Sequence, residues 1–505
     1  MKLLTTAQLR EADAFTIANE PIASIDLMER AARACTDWII RNFSTNHRFV
    51  VFSGTGNNGG DGLAIARMLS ERGNKVEVFI VRYSDKASAD FLENEKRLKD
   101  HAGTTIHEIK NKPSPSSIIH QPSSILIDCL FGSGLNKPVS GLAADVIHHI
   151  NSAGRPVISI DVPSGLFGED NSKNDRKNIV KANFTLTFEQ PKLSFLFPSY
   201  GEFAGEFVVM DIGLDKKFLA EQSAKYFFVG IENARSIYRP RKKFTHKGDN
   251  GHALLAVGAH GKMGAAVMSA KACLRAGAGL LSVFIPGCGY EIMQTSLPEA
   301  MVLTSEEKNM IAGKISGDKY DAIGAGPGIG KEKETENALK RLIQDSPVPL
   351  VLDADALNII SENKTWLGFL PASSIVTPHP KEFERMAGKW SNDEERLKMQ
   401  IDFAVKYGVY VVLKGAHTSV SCPDGEVYFN STGNAGMAKG GSGDVLTGII
   451  TALFAQGYDA KQSAVLGVFI HGLAGDIAAS KFSQEAMLAS DIVECLGEAF
   501  QHLNS

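Results

Sequence analysis

Apolar and polar positions along this chain alternate with the periods of strand and helix, and the pattern is laid down twice. Between Phe49 and Asp211 the β-branched runs RFVVFSG, KVEVFIV, SSILIDCLFGSG, PVISIDVPSG and FTLTFEQ are separated by segments of helix length. Short apolar runs spaced in this way predict parallel strands joined by crossover helices, a doubly wound sheet. Before that sheet, TTAQLREADAFTIANEPIASIDLMERAARACTDWII reads as one or two helices. The rhythm restarts with GHALLAVGA and continues through GLLSVFIPG, YDAIGAGPG, VPLVLDADAL, SSIVTPHP and VYVVLKGA. The stretch HTSVSCPDGEVYFN follows, and its Asp424-Gly425 pair predicts a hairpin. Three helical segments run from Gly443 to the end. The pattern is mixed between Asp215 and Pro240, so the expected division is a domain over 1–215, a linker over 216–235 and a domain over 236–505.

Composition narrows the class. The chain has 505 residues, 44% hydrophobic and 22% charged, which is ordinary for a soluble globular enzyme. Its length agrees with two to three domains at about 150 residues each. The net charge of −4 advertises no nucleic-acid partner, so phosphate binding has to come from local arrangement. Six cysteines are scattered without a Cys-x-x-Cys pair, which points to reduced thiols in a cytosolic setting and away from a zinc knuckle. The N-terminus becomes charged too early for a signal peptide. No apolar stretch is expected to reach the roughly 18 residues of a membrane span. The expectation is a cytoplasmic protein with neither membrane nor nucleic-acid partners.

In the first half, SGTGNNGGDGLAIARML follows a strand and opens a helix. Its glycines let backbone N–H groups approach an anion at the helix N-terminus. Side-chain carbonyls of Asn57 and Asn58 suit an alkali cation, and Asp61 suits ribose hydroxyls. The next strand ends in Asp128, and the one after it runs into Asp161 and Ser164. Ligands of open parallel sheets sit outside the carboxyl ends of strands, so Asn58, Asp128 and Asp161 are expected to converge on one crevice. Taken singly, each acid could equally be a helix or turn cap.

The strings GNNGGDG, FGSGLNKPVSG and IDVPSGL, with the opening LTTAQLREAD and DLMERAA, resemble the NAD(P)HX epimerases, the YjeF N-terminal domain. The resemblance covers roughly residues 1–215. It implies a Rossmann-like three-layer α/β/α sandwich that interconverts the C6 epimers of NAD(P)H hydrate. It places substrate contacts at Asn57, Asn58, Gly59, Gly60, Asp61, Gly132, Ser133, Gly134, Leu135, Asn136, Lys137, Pro138 and Asp161. It places a potassium ion on Asn58, Asp128 and Ser164. For that activity Asp161 is the candidate acid/base, since reversible chemistry at the C6 hydroxyl requires proton transfer, and Lys137 could steer phosphate.

In the second half, GGSGDVLTGII joins three glycines, one acid and an apolar helix face built from Val445, Leu446, Ile449, Ile450, Leu453 and Phe454. With a helix starting at about Asp444, the amides of Gly441, Ser442 and Gly443 sit at its positive end and form an anion hole. Capping would account for Asp444 but not for the glycines before it. The combination suits phosphoryl transfer, with Asp444 taking the proton of an attacking hydroxyl. No Walker string is present. His379 lies between Pro378 and Pro380 in a strand-to-helix turn, and Lys414 to Thr418 suit a nucleotide.

Gly-Gly-Ser-Gly-Asp resembles the ribokinase superfamily. Together with HKGDNGHALLAVG, GAGPGIG, DADALN, TPHPKEFERM and KGAHT it is similar to the ADP-dependent NAD(P)H-hydrate dehydratases. VGAHGKMGAA departs from the commoner Gly-Gly-Ser form of that loop. The resemblance implies a ribokinase-like α/β/α domain with Asp444 as base and an anion hole of Gly441, Ser442 and Gly443. Nucleotide contacts fall on Lys414, Gly415, Ala416, His417, Thr418 and Gly443, and hydrate contacts on Ala253, Gly328, His379 and Asp444. It also implies ADP as phosphoryl donor, Mg2+, the substrates NADHX and NADPHX, and a homo-oligomer, tetramer or octamer. The competing readings are a vitamin or sugar kinase, which would release a stable phosphorylated product, and a non-catalytic N-terminal binding or oligomerisation module.

Overall fold

A computed structural model describes residues 1–44, 46–101, 103–112 and 123–504. The chain divides into two compact units, Lys2–Ala224 and, with Met1, Lys225–Ser505.

Seven parallel strands form the sheet of the first unit among the described residues: β1 Arg48–Ser53, β2 Lys75–Val81, β3 Thr104–Ile109, β4 Ser124–Cys129, β5 Val157–Ile160, β6 Phe184–Phe188 and β7 Glu206–Met210. Their order is 3-2-1-4-5-6-7, the Rossmann order with one strand added. Successive β1 residues face opposite layers. Phe49 and Val51 join the core under the helices Ser24–Asn42 and Asn57–Glu71, while Val50 and Phe52 join the core with Gly141–Ser152. Both faces are therefore covered, which is why these strands read as continuous apolar runs. The order reverses between β1 and β4, and the crevice at their carboxyl ends is where such sheets bind ligands.

The second unit has ten strands among its described residues: β8 Tyr226–Val229, β9 His252–Ala256, β10 Leu280–Ile285, β11 Met301–Thr304, β12 Ala322–Ala325, β13 Leu350–Leu352, β14 Ile375–Val376, β15 Tyr410–Leu413, β16 Ser419–Ser421 and β17 Val427–Asn430. They run in the order 8-17-16-15-14-13-12-9-10-11, with β16 antiparallel to both neighbours as the Asp424-Gly425 turn requires. Ala253 and Leu255 face one core, Leu254 and Ala256 the other, so this unit is also a three-layer α/β/α sandwich. The stretch 216–235 is not a plain linker: it holds the helix Lys216–Glu221, strand β8 and most of the helix Ile231–Ile237. Its aromatic run forms β8, which pairs with β17 inside the stretch expected to be a linker.

Two expectations change on the helical side. Ala460–Phe482, at 23 residues, is long and apolar enough to cross a membrane, contrary to the reading of the sequence. Within the unit 78% of its apolar window is buried, as in a central core helix. The helix opened by Gly-Ser-Gly-Asp spans Ser442–Ala455, and Gly441 is its N-cap. Asp444 therefore occupies the third helical position and is not the cap.

That helix lies close against Met263–Arg275. A Cβ on Gly448 would stand 2.1 Å from the Ser269 carbonyl oxygen and 3.0 Å from the Ala272 Cβ. Neither a carbonyl nor a neighbouring backbone yields cheaply. Gly448→Ala gains up to about 1 kcal/mol of helix propensity but incurs an overpacking cost of about 1–3 kcal/mol. The expected net result is a lower unfolding midpoint in thermal melts.

Candidate functional sites

Each unit has a cavity at the carboxyl ends of its strands. That of the first unit has a volume of about 510 Å³. Asn57 and Asn58 reach it from the start of the helix after β1, Gly132 to Asn136 from the loop after β4, and Asp161 from the end of β5. Asp61, one turn along the helix, also faces it. Of the three residues expected to converge on one crevice, Asn58 and Asp161 line the cavity, whereas Asp128 is fully buried and does not.

Asp161 has φ +65, a backbone conformation that side chains rarely adopt outside functional or tightly determined sites. Its Oδ2 accepts the Ser133 N–H at 2.8 Å, and its Oδ1 lies 3.1 Å from the Lys192 Nζ. Burial pushes this carboxyl up, but the Lys192 charge and the Ser133 N–H outweigh it, so the group sits below the usual carboxylate range. Gly132 is needed beside it: a Cβ there would come within 3.0 Å of Asp161 Oδ2 and 3.2 Å of the Asn58 Cβ.

Other carboxyls respond in the opposite sense. Burial, then the negative charge of Asp161, pushes Asp13 up to about 6 and Asp61 well above the carboxylate range. Glu189, with φ +60, is also raised by burial while accepting the Ile212 and Leu214 N–H groups.

Asp128, Ser164 and Asn58 are linked through hydrogen bonds: Ser164 bonds Asp128, and Ser164 and Asn58 both donate to the Phe131 carbonyl. Asp128 accepts the Ser164 hydroxyl at 2.5 Å and its N–H at 2.8 Å. Asn58 donates to the Phe131 and Ile160 carbonyls, while its buried Oδ1 has no hydrogen-bond partner. An unmatched buried amide oxygen, with a carboxylate and a hydroxyl in the same hydrogen-bonded group, is an oxygen donor set whose chemistry fits a monovalent cation.

Gly59, Gly60, Lys137 and Pro138 lie outside the cavity lining. Gly59 and Gly60 are close-approach positions: their Cβ atoms would meet the Gly54 carbonyl oxygen at 2.0 Å and the Met28 sulfur at 2.8 Å. Lys137 and Pro138 are exposed. Arg10, Asp13, Tyr83, Glu189 and Lys192 line the cavity without having stood out in the sequence.

The cavity of the second unit is larger, about 960 Å³, and collects His379, Lys414 to Thr418, Ser442, Gly443 and Asp444. Asp353, which follows β13, also lines it. Its Oδ1 holds the Lys414 Nζ at 2.8 Å and its Oδ2 accepts the Thr447 hydroxyl at 2.9 Å. The Asp444 carboxyl makes no hydrogen bond or ion pair among the described residues. Burial, and then the Asp353 charge, raises it to about 6. Ser442 N–H turns back to the Lys439 carbonyl at 3.4 Å, leaving the Gly443 and Asp444 N–H groups at the positive end of the helix without helical acceptors.

His379 faces the cavity and also caps Pro380–Ala387, its Nδ1 accepting the Lys381 and Glu382 N–H groups. Burial lowers its pKa, with the Lys414 charge adding to the effect. His471, missed in the sequence because a lone histidine in an apolar helix resembles core, lies 3.3 Å from the Ser442 hydroxyl. Burial drives it down to about 4, so it is neutral.

Three sequence candidates fall outside this lining. Ala253 is fully buried near the amino end of β9, paired with Leu281 and Ala322 in the core, and cannot contact a ligand there. Gly441, φ +96, turns the chain into the helix with Met268 packed against it. Gly328, φ +66, sits in the loop after β12 against Lys262 and Ala265.

Fold and sites together define a two-domain α/β enzyme, with a carboxyl-rich acid/base cavity in one unit and a glycine-and-aspartate phosphoryl-transfer cavity in the other. Residues 24–194 match the family model described as YjeF-related protein N-terminus, and residues 253–497 that described as NAD(P)H-hydrate dehydratase. The bifunctional NAD(P)H-hydrate repair enzyme of Moorella thermoacetica is 34% identical, covering 100% of this chain and 97% of that protein. The enzyme of that name from Thermofilum pendens is 33% identical with the same coverage. A crystal structure of the ADP/ATP-dependent NAD(P)H-hydrate dehydratase from Bacillus subtilis aligns at 27% identity and TM-score 0.47, covering 55% of this chain and 98% of its own. The chain belongs to the family of bifunctional NAD(P)H-hydrate repair enzymes.

Removing the cation from the Asp161–Lys192 pair tests the electrostatics of the first cavity. Lys192→Met is expected to cost about 3–5 kcal/mol near neutral pH, read by hydrogen exchange in the N-terminal unit. Asp161 is depressed in the folded state, so its contribution is present above the unfolded value of about 3.9 and is lost as pH falls through the folded value. The gap between variant and wild type should therefore narrow in acid.

Proposed function

We propose that the N-terminal unit interconverts the R and S epimers of NAD(P)H hydrate at C6. The C-terminal unit then returns the S epimer to NAD(P)H with ADP as phosphoryl donor, releasing AMP and phosphate. The observation that carries the reading is the uncommitted Asp444 carboxyl, raised to about 6 beside Lys414 and the open amides of a helix N-terminus.

Hydroxide is a poor leaving group, and phosphorylation turns it into a good one. Asp444 takes the proton of the C6 hydroxyl, whose oxygen attacks the terminal phosphorus of ADP; the bond to AMP breaks. Gly443 and Asp444 N–H groups and Lys414 oppose the charge spread over the moving phosphoryl group. The ring-nitrogen pair then expels phosphate, and loss of a C5 proton restores the dihydropyridine. Lys414 to Thr418 bind the nucleotide, and neutral His379 offers a ring N–H toward the hydrate. Mg2+ would travel with the nucleotide phosphates, since among the described residues no cluster of three or more acidic, His or Cys side chains forms a cage. Potassium would be held by Asn58, Asp128 and Ser164, where its charge would help to fix the loops around Asp161.

Epimerisation converts the isomer that the dehydratase does not accept into the one that it does, which is a reason for both activities to share one chain. Incubating mixed epimers with ADP, Mg2+ and K+ should consume both and restore the absorbance of reduced nicotinamide. A kinase would instead accumulate a phosphorylated product, and that outcome would falsify the repair reading. Asp444→Asn should slow dehydration about 10²–10⁴-fold. In wild type the rate should fall as pH drops through about 6, because the base is then protonated.

A further inference from the structure

Four carboxyls line the cavity of the N-terminal unit, Asp13, Asp61, Asp161 and Glu189, and two of them are already committed. Asp161 is tied to Lys192 and the Ser133 N–H, and Glu189 to two backbone N–H groups. Asp61 also lines the cavity but is almost wholly buried, 8% exposed, and that burial raises its pKa above the usual carboxylate range. Asp13 differs from all three. It projects from the helix Thr6–Asn19 into the cavity lining, half-buried, and makes no hydrogen bond or ion pair among the described residues. The charged groups acting on it are Asp161, Lys192, Glu189 and Arg10, with Asp61 also close enough to feel its charge.

We propose that Asp13 is the proton donor of the C6 epimerisation, acting with the Asp161–Lys192 ion pair; the proposal rests on the epimerase reading of this cavity. Asp13 gives its proton to the C6 hydroxyl of the R epimer. The C6–O bond breaks, water leaves with the bonding pair, and the N1 lone pair forms the N1=C6 bond. The Asp161 carboxylate stabilises this cation. A water on the opposite ring face adds to C6 and passes its proton to Asp161, giving the S epimer. Even a depressed carboxylate suffices there, because a protonated hydroxyl on such a carbon is a strong acid. Asp161 then loses the proton to solvent and Asp13 regains one, so no net proton is consumed and nothing is oxidised.

The mechanism requires Asp13 protonated, and its carboxyl lies at about 6, so R-epimer turnover should decline as pH rises through that region. The test uses the full-length chain with purified R epimer, ADP and Mg2+, and the S epimer as an internal control for the dehydratase unit. Asp13→Asn should slow R consumption by about 100-fold or more, abolish the pH-dependent decline, and leave S consumption unchanged. Asp13→Glu should keep a decline but move its midpoint. Wild-type rate and decline in Asp13→Asn, or an unmoved midpoint in Asp13→Glu, would overturn the proposal. If wild type consumes the R epimer no faster than an enzyme-free control while still consuming the S epimer, the epimerase reading itself fails instead.

Discussion

A carboxylate taken out of water needs a positive partner, and both units meet that need with a single lysine at the end of a parallel strand. Asp161 lies 3.1 Å from Lys192, and Asp353 lies 2.8 Å from Lys414. Neither pair is on the surface, so its Coulombic strength is not dissipated by solvent. What each pair does to its neighbour matters more than its own stability. The residual field of Asp161 adds to burial in raising Asp13, and that of Asp353 adds to burial in raising Asp444; both neighbours reach about 6. One ionised acid and one acid near neutrality is the combination that proton transfer in the physiological range calls for.

The sheets make those pairs possible. Parallel strands buried on both faces leave only their ends for polar groups, and the loops leaving the carboxyl ends converge at the point where strand order reverses. Asp161 and Lys192 come from the ends of β5 and β6, neighbours in register, so the ion pair spans adjacent loops. Asp353 and Lys414 come from β13 and β15, with β14 between them and His379 in its loop. The two units therefore use one topological rule with different contents. The first surrounds its ion pair with further carboxyls; the second sets a helix N-terminus over it.

The strand-end motifs were legible in the sequence because their residue types are costly elsewhere. Gly132 and Gly448 sit where a Cβ would collide, and Asp128 and Asp161 interrupt apolar runs. Lys192 and Asp13 were not legible. A lysine after a strand and an aspartate in an amphipathic N-terminal helix are solvated in most proteins, and only tertiary packing turns them inward. The short edge strands β3 and β11, much of whose length is exposed, lack the apolar continuity that marks the central ones. Ala253 failed for the opposite reason: a small residue in a motif-bearing strand is also what a packed strand interior requires.

The place of Asp444 follows from the same constraints. At the N-cap its carboxylate would be spent on the amides of its own helix. Gly441 takes the cap, with a left-handed backbone that needs no side chain, and Asp444 moves to the third helical position. There its carboxyl is free while the dipole and open amides of the first turn still favour negative charge nearby. Those amides and Lys414 would lower the pKa of Asp444, whereas burial and Asp353 raise it, and the balance is a carboxyl able to accept a proton near neutrality. The glycines before the acid therefore do two separate things: one turns the chain, and another leaves its amide facing the cavity. Gly448, one turn beyond, lets the helix lie close enough to its neighbour for the arrangement to stay fixed.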